Sequence, residues 1–535
     1  MTKRKTLFYV IIFAICFMVG WGVSSIFRPI HETSDSVGIE TTKYGAFLAA
    51  QHAIYVNDFE TVPELVKGFS DVKYDTVKNT RMLAEFLGGE IPDGVTDLAN
   101  DKNPASRLIY DAYLAKNGKW DELYKRHNTN KSAIYAPLRI WSAIAIDRRT
   151  ETLKYVDSID SNPSWRAFIR GQIYAEQGDT EKAAGAFANV APEFMNINDY
   201  LYVMSFYRAN NMDEAADKLQ TDFSSNPGGM FMADYDDIPD WEHFKGPKNA
   251  LAFGLIQNVS HTQIMLYSDL SVLMLRFAQI IGPETSLFQN AINYHLGQFF
   301  ANMGGNYVKY MDNIDKDSPF YLFAQMRMDD SPKQLKKILN KYPLFIPALN
   351  KLVAYHTASG DRRGALRIIN RAIKNNKISD SGRAYLVKRR ALVNLVFDNL
   401  NAAQRDVHEA SKIIDVDSEI LSIQARIWAA QGREIENAYD YAMAMIKKNP
   451  TDVVAWDTIA VVVGVREGNE AALEILEKVG GTANTCSSLF EHLGDAYTIA
   501  KRYDLAKTAY MRAIELADDG LIVIPKIKKK IRKLK

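Results

Sequence analysis

The densest group of side chains able to do chemistry lies between Gly228 and Pro247, GGMFMADYDDIPDWEHFKGP. There Asp234, Asp236, Asp237, Asp240, Glu242 and His243 crowd into ten residues. Several carboxylate oxygens close together suit a hard divalent cation. Their spacing does not match a helix–loop–helix calcium loop and lacks its turn glycine, so a solvated acidic loop is the plainer reading. No metal ligand is assigned. The same stretch holds Phe231, Tyr235, Trp241 and Phe244 beside five carboxylates. Rings that can leave water, surrounded by charge, are typical of the few residues that dominate a protein interface. These four are therefore the candidate partner-binding residues. Rings that plug a break between two helical runs would have the same composition, and the sequence leaves both readings open.

Elsewhere the reactive residues are dispersed. The chain contains no G-x4-G-K-[ST], H-E-x2-H or G-x-S-x-G, so phosphate cradles, zincin sites and nucleophile elbows lack support. Nine histidines are scattered. His295 and His492 fall in expected helices, where a core or groove position is the simpler role. Cys16 and Cys486 are the only cysteines, which provides neither a disulfide framework nor a C-x2-C metal spacing. No catalytic residue and no cofactor is expected. The alternative is an enzyme or metal-binding subunit whose site lies in the 228–247 loop.

The elements that would position any site are helices. LFEHLGDAYTIAKRYDLAKTAYMRA, residues 489–513, reads at helical period as two helices, roughly Ser487–Lys501 and Tyr503–Leu516, with a turn at Arg502. Gly494 and Ala506 are small where two helices would cross, and Tyr497, Tyr510 and Ala513 lie beside them. The Gly494 slot recurs 34 residues earlier at Ala460 and again at Arg426, and the Ala506 slot at Ala472 and Ala438. Asn449-Pro450 closes one unit and Trp456 opens the next. Ala391 with Ala403 and Ala410, and Leu352 with Ala365 and Ala372, give two more. In the N-terminal half, Gly171, Tyr174, Ala183 and Phe187 repeat the arrangement after Asn162-Pro163. Ala215 and Pro227 mark the next unit, and weaker units start at Tyr44 and near Gly297.

This pattern resembles the tetratricopeptide repeat, W-x2-L-G-x2-Y followed by Ala, an aromatic and Pro. In the last unit Phe490 takes the Trp slot and Asp518 the Pro slot. The resemblance implies an all-α, right-handed solenoid of helix-turn-helix repeats whose concave face holds a protein partner or an envelope polymer. The order of features is also similar to a group of long exported alphaproteobacterial proteins of this kind. Tyr44, Ala46, Leu48–Ala50, His52 and Ala53 open the array, while His492–Asp495 with the basic Lys526–Lys535 close it. That likeness implies an envelope location and an adaptor role.

Charge is distributed unevenly. Lys plus Arg number 65 against 64 Asp plus Glu, yet the first five residues hold three cations and the last ten hold seven. Residues 6–525 therefore carry about −9, which argues against a nucleic-acid surface along the body. Lys3, Arg4 and Lys5 precede Leu7–Phe27, which has no charged residue. Twenty-one residues at 1.5 Å rise would span about 30 Å of hydrocarbon. The leading cations put the N-terminus in the cytoplasm and the body in the periplasm, as a single-pass protein of a bacterial inner membrane. A signal peptide cleaved near Val23-Ser24-Ser25, leaving a soluble periplasmic protein, is the competing reading.

The organisation expected is a signal-anchor helix over 1–28 and a polar linker over 29–43. TPR-like repeats follow over 44–227, an irregular insertion over 228–247 and further repeats over 248–520. A basic capping helix over 521–535 ends the array. Its apolar stripe, Ile524, Ile527, Ile531 and Leu534, covers the last repeat, and its lysines also suit anionic lipid. Between Lys73 and Asn103, Gly88-Gly89, Pro92 and Gly94 predict short or irregular helices.

Overall fold

The computed structural model describes residues 43–55, 61–67, 75–159, 161–235, 237–261, 269–303, 306–482 and 485–534. The expected anchor over 1–28 and the linker up to residue 42 lie outside the described residues. Among the described residues no helix is long and apolar enough to cross a membrane. All regular elements there are helical, and most are joined as antiparallel pairs.

Local sequence explains the pairs. Asn162 accepts from the Ser164 N–H at 2.8 Å and Pro163 takes the first helical position, where its missing N–H costs nothing. Asn103 and Pro104 start Pro104–Lys116 the same way. The turns share a second device. A left-handed residue stands two positions before the second helix of a pair at Gly118, Asp147, Gly178, Asn211, Gly360, Asp398 and Lys501. Glycine adopts that conformation freely, and Asp or Asn at modest cost. The turn-forming residues thus set where each helix pair reverses direction.

An open repeat array touches only its neighbours along the axis. This one closes on itself twice. Helix Asp269–Ile281 lies against Pro104–Lys116 and Asp75–Leu87, and Pro247–His261 lies against Ala136–Ala145. At the rim, Lys248 Nζ donates to the Lys116 carbonyl at 2.7 Å and Asn258 Nδ2 to that of Ile134 at 2.8 Å. One core runs from Met82 to Val393 through this closure and through the insertion at 228–247.

The second closure belongs to the C-terminal tail. The turn Ala517–Asp519 rests on Ile346–Ala358. Gly520, at φ 73°, passes so close to Ala354 that a Cβ would stand 2.7 Å from its Cα. Helix Ile524–Lys533 then covers Tyr503–Glu515 and reaches back across the array. Its Lys526 Nζ meets the Val396 carbonyl at 3.2 Å and Asp398 Oδ2 at 2.5 Å. The tail is therefore an end cap that also straps the first of these repeats to the last.

Two expectations are refined. The 73–103 stretch holds a regular helix, Asp75–Leu87, before an irregular run with one 3₁₀ turn at Val95–Leu98. The insertion folds into two 3₁₀ turns, Met230–Asp234 and Trp241–Phe244.

Candidate functional site

The repeat-defining residues meet as side chains. Gly494, on helix Ser487–Ile499, lies beneath the Tyr510 ring of Tyr503–Glu515, and Gly171 lies beneath Phe187 in the same way. Ala183, Ala438, Ala506 and Ala513 are fully enclosed, and Ala472 nearly so. Tyr174, Trp456 and Tyr497 are half-buried, with Trp456 Nε1 donating to the Pro450 carbonyl at 2.8 Å. Arg426, in a slot where a small residue recurs, instead sends its guanidinium to within 3.8 Å of Asp457. Asp457 is fully buried, and His492 Nδ1 stands 2.6 Å from Oδ1 while Ser488 Oγ donates to Oδ2 at 2.6 Å. Burial alone would raise this carboxyl; His492, Arg426 and the Ser488 bond outweigh it and hold it below the usual range.

The four rings of the insertion are not one surface. Phe231, Trp241 and Phe244 are 2%, 7% and 1% exposed, so little of these three rings is open to a partner. Phe231 wedges between Phe323 and Phe345, with centroids 5.7 and 5.2 Å away. Trp241 stands edge-on to Tyr202 and Phe206 at 5.1 and 5.3 Å, and Phe244 packs on Tyr202 and Phe253 at 4.8 and 5.5 Å. They fill the junction between the two runs. Tyr235 alone is half-buried; it lines a cleft of about 510 Å³ with Lys316, Tyr321, Lys337, Lys341 and Tyr342. Burial, with Asp237 and Asp317 nearby, raises its hydroxyl well above the ordinary value.

Two acidic residues of the loop have local partners. Asp240 accepts from the Glu242 N–H at 2.9 Å as a helix cap, and Glu242 pairs with Lys245. Asp236 lies outside the described residues. Among the described residues, no three His, Cys, Asp or Glu stand together as a metal would require.

A cleft of about 600 Å³ lies at the meeting of Ile197–Ala209 with Ser286–Asn302. Phe223, Tyr294, Phe320 and Phe323 give it apolar walls, and Asn196, Asn198, Gln298, Asn302 and His295 supply polar atoms. Beneath it a buried network sets the geometry. Asp199 accepts from the Asn196 N–H at 3.1 Å and from Gln257 Nε2 at 2.9 Å, and His261 Nε2 stands 2.6 Å from Oδ2. Asn196 returns the bond by accepting from the Asp199 N–H, so the pair is a capping box. Burial lowers the His261 imidazole, but the Asp199 carboxylate overcomes this and raises it. His295, buried beside His261 and 3.5 Å from Asn198 Nδ2, is pushed down to about 4, chiefly by burial.

This cleft escaped sequence reading. Asn196-x-x-Asp199 announces a helix start and His295 sits at a helical position, but His261 lies 62 residues from Asp199. No periodic signal links them.

No family model matches the sequence, and no curated protein does. Several solved structures are similar. A tetratricopeptide-repeat protein of Thermus thermophilus is 17% identical over 35% of this chain and 97% of its own, with a TM-score of 0.28. One from Parabacteroides merdae is 14% identical over 54% and 98%, at 0.30. Yeast Tom70 is 11% identical over 92% and 97%, at 0.29. Antiparallel helix pairs, a 34-residue period and a small residue seated under an aromatic ring in each half are the features of a tetratricopeptide-like helical repeat array.

Proposed function

We propose that the chain is a non-catalytic scaffold that holds an extended segment of a protein partner, tethered to a bacterial inner membrane by residues 7–27 with its body in the periplasm. The observation that carries the binding role is the 600 Å³ cleft at the junction. Side-chain amides both donate and accept, so Asn198, Gln298 and Asn302 match the N–H and C=O groups of a peptide backbone. The aromatic walls supply the apolar contact that a bound segment needs. Asp199, the acidic side chain of the buried network beneath the cleft, is committed to the capping box and to His261, and this favours a binding role over an enzymatic one. The tether rests on Lys3–Lys5 ahead of an uncharged 21-residue run.

Binding is tested by placing a photo-crosslinking phenylalanine at Gln298 and irradiating cells. Discrete adducts at 298, absent with the same residue at the exposed Met511, support the cleft. Identical adducts at both positions, or none at 298, remove it. An alkaline phosphatase fusion after Lys43 tests the tether, since that enzyme matures only outside the cytoplasm. An inactive fusion would overturn the topology.

A further inference from the structure

The C-terminal helix has more contacts than an end cap needs. A cap covers the open face of the last repeat, whereas Ile524–Lys533 also engages residues about 130 positions earlier in the chain. Its two inward lysines are four residues apart, on one face. Lys526 meets Asp398, and Lys530 meets Glu491 at 2.7 Å and Asp495 at 2.6 Å. The acids come from two different repeats and converge on one groove. Between these lysines, Ile527 enters the core and is the only buried residue of the helix.

Three features separate this helix from the body it covers. The firm attachment precedes it, at the buried Ile522 and Val523 and the close pass of Gly520 over Ala354. Within the helix Ile527 is buried while Ile524 and Ile531 pack on the core only partly buried, and the ionic contacts lie at partly exposed positions, where such pairs form and break readily. A cavity of about 290 Å³ remains beside it, lined among others by Arg426, Ala430, Val461 and His492. The tail therefore does not fill the face on which it lies.

We propose that the inner face of the C-terminal repeats is a receptor for a lysine-bearing amphipathic helix of another chain, with this chain's own Ile524–Lys533 as its exchangeable resident. The acidic trio Asp398, Glu491 and Asp495 selects the cations, and the Ile527 socket selects an apolar residue between them. A helix with a bulkier apolar face than Ile524, Ile527 and Ile531 would also occupy the residual cavity. An occupant in cis competes at high effective concentration, so a partner must displace it and binding is gated. This groove is separate from the junction cleft, and the fate of either reading leaves the other standing.

The test uses the full chain and a labelled peptide of residues 520–534. Fluorescence anisotropy should show at least tenfold tighter peptide binding to the K526E/K530E double variant than to the unaltered chain, because the resident helix no longer competes. A peptide with both lysines changed to glutamate should bind neither. Equal binding to both proteins, or none to either, overturns the proposal. So does loss of the double variant's fold by circular dichroism, since the helix would then belong to the core. Hydrogen exchange on the unaltered chain gives an independent reading. Amides of 524–533 should exchange at least tenfold faster than those of 503–515, and equal protection would refute an exchangeable resident.

Discussion

Gly494 lies beneath the ring of Tyr510, so close that a Cβ there would stand 2.5 Å from the ring carbons Cδ1 and Cε1. Tyr510 cannot easily move aside, because its hydroxyl donates to Asp495 at 2.6 Å and its ring is buried. The backbone of one helix thus serves as the floor for the side chain of the next. Gly171 and Phe187 repeat the arrangement 323 residues earlier in the chain.

Gly494→Ala should therefore destabilise the last repeats by about 1–3 kcal/mol, the usual cost of forcing carbon into a filled site. Gly185→Ala should act in the opposite sense. Gly185 sits on an exposed face of Thr180–Phe187 with nothing within 4 Å of its Cβ position, so alanine gains roughly 0.5–1 kcal/mol from helix propensity. Thermal melts of the two variants should shift in opposite directions, and equal shifts would contradict the crossing.

The insertion yields a second pair of outcomes. Trp241 is enclosed by Tyr202, Phe206 and Phe244, and Trp241→Ala should cost about 3–5 kcal/mol by opening a cavity. Tyr235 is half-buried at a cleft wall, and Tyr235→Ala should cost clearly less. Denaturation midpoints in urea distinguish them. If Tyr235→Ala proves the more damaging, the insertion is held at Tyr235 and not at its plug.

These two cases show where sequence reading succeeds. The Gly494–Tyr510 contact joins neighbouring helices of one repeat, so a local spacing announces it. Left-handed turn residues such as Gly178 and Asp398 are equally local. The fate of Trp241 depends on Tyr202, and that of Phe231 on Phe345, 114 positions away; composition says only that the rings leave water, not what covers them. The Asp199–His261 pair and the reach of Lys526 to Asp398 are long-range in the same sense. Arg426 is the instructive exception: a large cation in a small-residue slot signals a buried acid, and Asp457 answers it.

His295 and His261 should bend the stability profile in opposite directions. His295 holds its proton only near pH 4 when folded, against 6.5 when unfolded. Between those values the unfolded chain binds the extra proton, so stability falls as pH drops, by up to about 3 kcal/mol. His261 is raised by Asp199, so its contribution is complete below 6.5 and lost as pH rises through its folded value. His295→Gln should flatten the acid limb and His261→Gln the alkaline one. Urea midpoints between pH 4.5 and 8 check both, and curves parallel to the unaltered protein would exclude these residues.

Asp457 offers the sharpest test of the C-terminal repeats. It is fully buried and accepts contacts from two helices, with His492 and Ser488 on one and Arg426 on the other. Asp457→Ala leaves a guanidinium and an imidazole facing an apolar gap, and removing one partner of a buried ion pair costs about 3–5 kcal/mol. Asp457→Asn keeps the shape and an acceptor for Ser488 but not the charge, so it should lie between the alanine variant and the unaltered chain. The carboxyl is held low when folded, so its contribution is present above its unfolded value near 3.8 and lost as pH falls through the lower folded value. The gap between the unaltered chain and Asp457→Asn should accordingly be full at pH 6 and narrow below pH 4. A gap independent of pH would mean that Asp457 acts through shape alone, and the ionic link from Arg426 would have to be given up.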